Sequence, residues 1–483
     1  MRILFVTAEV APYAKVGGLA DVAGSLPKAL QALGHEVLIV MPAYGHVIHD
    51  KRWRVQSVSD EFFVNVNENW FAKSKLYRTD ATGFPVALVD HDDVFLRAQS
   101  SADVYTFHRD DYLFFAHAAL EVARDLQFQP DIVHCHDWHT GFLPPIMREA
   151  KGEDWSDVAS VLTIHNLAYQ GEFQFDTLEA AGLRSELFTP EILEFYGGVN
   201  FLKSGAVYAD QVNTVSENYM SEIQTPEFGC RLDGVMRYLS SQGRLTGILN
   251  GIDTEVHNPQ TDPCLPANFS AEDLSGKAIC RAELIKESGL DISANEPVAA
   301  MITRLSSQKG FDLLLAVEEE LFKQGTALVV VGQGDEWASG ELRRMEDEHP
   351  GKCKFFNVFD PDLAQRVYAG SDLFLMPSQF EPCGLGQMFS MRYGSVPVAS
   401  ATGGLADTVF EGQNGFIFER GNADAFASAL ARARQGFTDP DEWLKLIKSG
   451  MNSDFSWSAS AQKYVQLYER AISGRQKQQA VNS

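Results

Sequence analysis

Cysteine is scarce in this chain, six in 483 residues, at positions 135, 230, 264, 280, 353 and 383 with no C-x-x-C pair among them. That count excludes a disulfide framework, and the thiols read as reduced. Positive charge is short as well, with 40 Lys+Arg against 65 Asp+Glu and a formal net charge of -25. No broad basic face can be assembled from that balance, so nucleic acid is not expected as a partner. No apolar run approaches the ~18 residues of a membrane span, and none of the Walker, G-x-S-x-G or H-E-x-x-H motifs occurs. The opening run Met1 to Val6 reads as a strand rather than a secretory or transit segment, which makes the cytoplasm the expected location, with an already trimmed plastid protein as the alternative that would read the same. What is plentiful is ordinary globular material, 45% hydrophobic and 22% charged, enough for a large core. At ~150 residues per domain the length predicts about three domains, or two large ones in an α/β architecture.

The periodicity favours the second option. Short β-branched runs alternate with Gly/Ser/Asn/Asp turns and longer amphipathic stretches, the pattern of parallel βαβ units. Expected strands are Arg2 to Thr7, Val37 to Met41, Val86 to Asp90, Asp131 to His134, Ser160 to Ile164 and Gln211 to Thr214. A second set follows at Val298 to Thr303, Ala327 to Val331, Lys354 to Asn357, Asp372 to Met376, Val396 to Ala399 and Phe416 to Phe418. Between the sets, 252–270 lacks periodicity and carries Pro259, Pro263 and Pro266, which marks it as a linker. The expectation is therefore α/β, two doubly wound Rossmann-like domains facing across a cleft. An acceptor-side domain covers 1–251 and a nucleotide-sugar-binding domain covers 271–472, ending in a helix from about Trp457 that could pack on the second domain or cross back to the first; a polar tail, 473–483, is expected to fray.

In open α/β sheets ligands collect beyond the carboxyl ends of the strands, and unusual residues gather there. Gly-Gly-Leu-Ala-Asp occurs twice, at Gly17 to Asp21 and Gly403 to Asp407, each time between a strand and a helical run. Two glycines entering a helix either leave backbone N–H groups open to an anion or merely make a tight turn. Lys15, Arg304 and Lys309 follow strands and could clamp a diphosphate, although any one lysine read alone is a solvated side chain. Glu381 sits in a turn stiffened by Pro382 and ended by Gly384, which holds a carboxylate rigidly, while Cys383 reads as buried filler or a reactive thiol. In His134-Cys135-His136-Asp137-Trp138-His139 there is no second ligand pair for a metal. Asp137 and Trp138 offer instead the acceptor oxygens and apolar face a pyranose needs, with core packing of Trp138 as the alternative. Asp90, His91, Asp92 and Asp93, the nearest thing to an Asp-x-Asp pair, read as a solvated loop.

Taken in order, KVGGLADV (Lys15 to Val22), HCHDWHTG (His134 to Gly141), TIHNLAYQG (Thr163 to Gly171), LNGID (Leu249 to Asp253), RLSSQKG (Arg304 to Gly310), EPCGL (Glu381 to Leu385) and TGGLADTV (Thr402 to Val409) resemble the motifs of the glycogen and starch synthases. The likeness spans nearly the whole chain. It implies a GT-B fold and retaining transfer of glucose from a nucleoside diphosphate glucose, usually ADP-glucose, to the non-reducing end of an α-1,4-glucan. No metal and no cofactor are implied. By motif, Arg304 and Lys309 would hold the diphosphate, with Lys15, Gly17 and Gly18 approaching from the first domain beside Asp21. Thr402, Gly403 and Gly404 would add backbone donors. Glu381, His165 and Asn250 would contact the transferred glucose, Asp137 and Trp138 the acceptor or transition state. Cys383, Gly384, Leu385 and Lys277 also fall on the donor side, and Phe359 is the candidate to stack on the base.

Three positions depart from the wider pattern. Related transferases carry a second Glu eight residues after the first, where this chain has Phe389, and the stretch after Lys277 shows Cys280 and Arg281 where Asn and Lys are usual. The runner-up reading is a retaining glucosyltransferase using UDP-glucose or a different acceptor. A silent glucan- or nucleotide-binding protein is disfavoured by intact Lys15, Arg304, Lys309 and Glu381. A glucan phosphorylase would need a cofactor lysine and a longer chain.

Overall fold

Aliphatic runs such as Ala-Leu-Val-Val-Val at 327–331 are buried on every residue, the signature of parallel strands covered on both faces. The structure, a computed structural model, describes residues 1–150 and 155–482. They form two units, one of Met1–Val215, Met220–Gly251 and the chain from Trp457 onward, the other of Ser216–Tyr219 and Ile252–Ser456.

The first unit contains β1 (Arg2–Val6), β2 (Glu36–Pro42), β3 (Gln56–Asn67), β4 (Trp70–Thr79), β5 (Val86–His91), β6 (Ile132–His136), β7 (Ala159–Ile164), β8 (Glu172–Phe173), β9 (Glu194–Phe195), β10 (Gly198–Asn200), β11 (Gln211–Thr214) and β12 (Leu245–Gly247). Nine of these make one sheet in the order β12-β11-β7-β6-β1-β2-β5-β4-β3, while β8, β10 and β9 form a small antiparallel sheet. The six expected strands are its parallel centre. The hairpin β3–β4 is antiparallel and extends the sheet beyond β5. Asp90 and His91 end β5 and are buried, so the solvated-loop reading is corrected for that half of the cluster. Asp90 accepts from the N–H of Phe95 at 2.7 Å, and burial pushes its pKa up to about 6.

The second unit holds β13 (Val298–Ile302), β14 (Ala327–Val331), β15 (Cys353–Phe356), β16 (Leu373–Met376), β17 (Val396–Ser400) and β18 (Phe416–Phe418) in one parallel sheet, order β15-β14-β13-β16-β17-β18. Residues 252–270 are not a free linker. Leu265 and Phe269 are buried in this unit's core, and Asp262 accepts from the Tyr393 hydroxyl at 2.5 Å. The prolines mark turns, and the apolar residues between them still need burial. Ile252 donates from its N–H to the carbonyl of Phe455 at 2.8 Å, so the chain enters and leaves this unit side by side.

The terminal helix Trp457–Asn482 departs from expectation at its end and settles a point the sequence leaves open. It continues to Asn482 through the stretch expected to fray, and of the two domains it could join it packs on the first, against helix Gly18–Ala32, β7 and β11. A buried polar chain ties it there. The Tyr468 hydroxyl meets His134 Nδ1 at 2.9 Å, His134 Nε2 meets Thr163 Oγ1 at 2.7 Å, Thr163 donates to Asn213 Oδ1 at 2.7 Å, and Asn213 Nδ2 donates to the Tyr464 hydroxyl at 3.2 Å. Because Thr163 spends its proton on Asn213, His134 must donate from Nε2 and accept from Tyr468 at Nδ1. It is therefore neutral, in keeping with burial pushing its pKa well down. Tyr468→Phe is expected to strand Nδ1 and cost ~1–2 kcal/mol, read as a lower urea midpoint at unchanged m.

Candidate functional site

Each sheet has a topological switch point, and the expected site residues lie at both. In the second unit the crossovers run from β13 to β14 and β15 in one direction and from β16 to β17 and β18 in the other. The carboxyl edge between β13 and β16 is therefore the crevice position of an open α/β sheet, and the loops after these two strands border it. After β13, Arg304 is exposed. The turn Ser307–Lys309 then ends at Gly310, φ 73°, where a Cβ would lie 1.9 Å from the carbonyl oxygen of Pro377. Only glycine allows that approach. It seats the β13 loop on the β16 loop and brings Lys309 Nζ to 2.5 Å from Glu381 Oε2, with the side chains only 17% and 11% exposed. The Ser378 hydroxyl donates to the same carboxylate oxygen at 3.2 Å.

The turn after β17 closes on Glu381 from the other side. At Gly403, φ 43°, a Cβ would stand 1.9 Å from the Glu381 carbonyl oxygen, and the N–H of Gly404 donates to that oxygen at 3.1 Å. The expectation of a bare donor at Gly404 is thus corrected, since its N–H is spent on positioning Glu381. The buried Gln387 amide donates to the carbonyls of Cys383 and Gly384 and to the Thr408 hydroxyl, binding the Glu381 to Leu385 turn to helix Gly403–Thr408, whose N-cap is Thr402. Cys383 is buried, which favours its reading as filler. Phe359, in the loop after β15, is 80% exposed, an open ring face beyond the same sheet edge.

Lys277 is not brought to this crevice. It is buried on helix Ser275–Glu287 with Nζ donating to the carbonyls of Ala369, Ser371 and Tyr393 at 3.0, 3.1 and 2.9 Å, and burial lowers its pKa to about 8. All three ammonium donors are occupied, so its place as a donor contact is corrected to a structural one. Phe389, at the departing position, packs its ring on His257 with centroids 4.1 Å apart.

In the first unit the switch point lies between β1 and β6. Lys15, Gly17, Gly18 and Asp21 follow β1, with Lys15 Nζ 2.6 Å from Asp21 Oδ1. The expected anion seat at Gly17 is taken by a carboxylate of the chain itself. Glu9, fully buried, accepts from the N–H groups of Val16 and Gly17 at 2.5 and 3.0 Å, and burial raises its pKa. The open-donor reading is corrected for Gly17. No Cβ neighbour lies within 4 Å of Gly17 or Gly18, so packing does not account for either glycine. Glu9 was legible in principle, as a lone acid inside the apolar Thr7 to Pro12 stretch.

Asp137 begins the helical turn after β6 at φ 54°, a left-handed conformation that costs a non-glycine residue about 1 kcal/mol or more. Its Oδ1 accepts from the N–H of His165 at 2.7 Å, linking the ends of β6 and β7. Burial pushes its pKa up to about 7 against the opposing backbone hydrogen bonds of His165 and Asn166. His165 Nε2 lies 3.0 Å from His136 Nδ1, and burial drops the His165 pKa to about 3. Trp138 is half-buried against Gly171 and meets Tyr112 edge-on at 4.9 Å, so packing and a partly open ring coexist. Asn250 is buried with Oδ1 unpartnered among the described residues. No three His, Cys, Asp or Glu side chains among them converge as a metal-ligating set.

Two Rossmann-like α/β units of this kind, with cationic and carboxylate side chains at their switch points, define a GT-B glycosyltransferase. Residues 2–238 match the starch synthase catalytic domain family and residues 285–442 the glycosyl transferases group 1 family. The chain is 43% identical to the glycogen synthase of Syntrophotalea carbinolica, over 98% of this chain and 99% of that one. It is 42% identical to the glycogen synthase of Thermotoga maritima over the same shares. The solved catalytic domain of starch synthase IV from Arabidopsis thaliana, bound to ADP and acarbose, superposes with a TM-score of 0.89 at 35% identity, covering 98% of this chain and 99% of that one. Sucrose-phosphate synthase from Thermosynechococcus elongatus, at a TM-score of 0.62 and 18% identity over 98% and 99% of the two chains, shares the fold. The chain belongs to the glycogen and starch synthase family of glycosyltransferases.

Proposed function

We propose that the chain transfers glucose from ADP-glucose to the non-reducing end of an α-1,4-glucan with retention of configuration and without a metal. The observation that carries the reading is the Lys309–Glu381 pair at the switch point of the second unit, 2.5 Å apart and little exposed, with exposed Arg304 on the same loop. In the proposed reaction the bond from C1 of glucose to the β-phosphate oxygen breaks and its electron pair leaves with ADP. The 4-hydroxyl of the acceptor's terminal glucose forms the new bond on the same face, and its proton passes to the departing phosphate. Arg304 and Lys309 would hold the phosphate charge as it develops, the contribution preorganised donors make best in a water-poor site. Glu381 holds Lys309 in place and accepts from a sugar hydroxyl. Asp137 supplies negative charge near the oxocarbenium-like centre, and His165 and Asn250 contact the glucose. Lys15, held by Asp21, adds a cation from the first unit, and Phe359 offers its open face to the base.

Among the described residues no helix is long and apolar enough to cross a membrane, and the acidic net charge is unlike that of a nucleic-acid binder. A cytoplasmic location suits both the donor and the polymer. The testing experiment measures nucleotide release from ADP-glucose and separately from UDP-glucose, with and without glycogen, in EDTA, followed by chain-length analysis. Glycogen-dependent ADP release with lengthened α-1,4 chains is the expected result. Release from UDP-glucose alone overturns the donor assignment, and release from neither overturns the activity.

A further inference from the structure

On the second unit, beside the Lys309–Glu381 crevice, a separate pocket of about 460 Å³ is lined by Ser307, Gln308, Asp312, Trp337, Gln379 and Phe380. Its walls are the residues that immediately precede Lys309 and Glu381 in the two crevice loops, together with the first turns of helices Phe311–Ala316 and Glu336–Glu348. The two loops are joined beneath it, the N–H of Gln379 donating to the Gln308 carbonyl at 2.8 Å. Trp337 is 54% exposed, an unusual state for the largest apolar ring in the repertoire. The polar groups around it offer both acceptors and donors. Gln308 Nε2 spends one of its two N–H donors on the Phe380 carbonyl and Gln379 Nε2 one of its two on Asp312 Oδ2, which leaves one N–H on each amide, both amide oxygens, the second Asp312 oxygen and the Ser307 hydroxyl without partners among the described residues.

An open aromatic face ringed by hydrogen-bond acceptors and donors suits a ligand with flat apolar patches and many hydroxyl groups, which both donate and accept. The lining includes no cation and one carboxylate, which disfavours a phosphate, a nucleotide or any other anion. We infer that this pocket is a second glucan subsite, in which a segment of α-1,4-glucan stacks a pyranose on Trp337 and donates hydroxyls to Gln308, Asp312 and Gln379. The inference rests on the glucan reading of the activity and extends it to a surface outside the catalytic residues. Its purpose follows from its place. A branch of the polymer held there keeps other chain ends of the same particle at high effective concentration beside Lys309 and Glu381. A short acceptor cannot span both positions and gains nothing from it.

The test uses the full chain as wild type, Trp337→Ala and Trp337→Phe. Because Trp337 is exposed, its truncation leaves the core intact. One readout is retardation in a native gel containing glycogen, which needs no turnover; the other is KM for glycogen against KM for maltotriose. Trp337→Ala is expected to lose retardation and raise the glycogen KM about 5-fold, with kcat and the maltotriose KM unchanged, and Trp337→Phe to recover most of both. Unchanged retardation and glycogen KM overturn the subsite. Equal KM rises with both acceptors also overturn it, since they mean the crevice loops themselves were disturbed. If wild type fails to release ADP with either acceptor the glucosyltransfer reading falls, whereas a difference in gel retardation between wild type and Trp337→Ala still supports the pocket.

Discussion

Lys309→Ala is expected to lower kcat at least about 100-fold while affinity for maltooligosaccharide stays near wild type. Two effects act in one direction. Removing the ammonium deletes a donor aimed at the charge that grows on the departing diphosphate, and single donors at preorganised sites contribute about 3 kcal/mol. It also leaves Glu381, 11% exposed, with the Ser378 hydroxyl as its remaining side-chain donor. A little-exposed carboxylate that loses its cation either draws water into the crevice or turns away, and both misplace a group meant for a sugar hydroxyl. Steady-state kinetics with ADP-glucose and glycogen, with maltoheptaose binding by calorimetry, read the two quantities separately. Near-wild-type turnover would sink the assignment of Lys309.

The coupling within the pair is measurable too. Residues that share a 2.5 Å contact are expected to lose activity non-additively. Glu381→Gln placed on Lys309→Ala should therefore cost much less than it does alone. Additive losses would mean that the two side chains act on different steps.

The motifs and the parallel strands were legible because both obey local rules. β13 to β18 are short, largely apolar runs set between turns, and glycines such as Gly310 and Gly403 stand where only a residue without Cβ fits. Hairpin β3–β4 carries its own signal, Phe62, Val64 and Val66 buried on one face and Phe63 exposed on the other, but a period-two alternation falls outside a search for βαβ units. Partnership at a distance was not legible. The helix from Trp457 has apolar residues that would suit either unit, and what selects the first is the polar chain through Tyr468, His134, Thr163, Asn213 and Tyr464, spread over four elements. The anion seats misled for a related reason. A glycine turn announces bare N–H groups, yet whether a ligand or the protein's own Glu9 fills them depends on a residue eight positions earlier. Lys277 shows the same ambiguity in reverse, a cation recruited by backbone carbonyls at the ends of other elements.

Asp137→Asn is expected to separate activity from stability. Burial holds the Asp137 proton in the folded protein up to a pKa of about 7, from an ordinary value of 3.8. The stability this proton confers is intact below the unfolded value and is lost as pH rises through about 7, because the unfolded chain ionises freely while the folded one must bury the charge. Ionised Asp137 thus costs the native state on the order of 4 kcal/mol at pH 8, in addition to its left-handed backbone at φ 54°. Asparagine tolerates that backbone and can still accept from the N–H of His165, but it carries no charge. The variant is expected to gain ~2 kcal/mol at pH 8 in urea unfolding, yet to lose about 100-fold in kcat, since the cationic sugar centre no longer faces a carboxylate. The pH profiles should differ in kind. In wild type kcat/KM falls on the acid side of about pH 7 as free Asp137 takes up its proton; in Asp137→Asn that limb disappears. A variant that keeps the acid limb, or that matches wild-type kcat at pH 8, shows that the strained, buried carboxylate serves the turn between β6 and β7 and not the reaction.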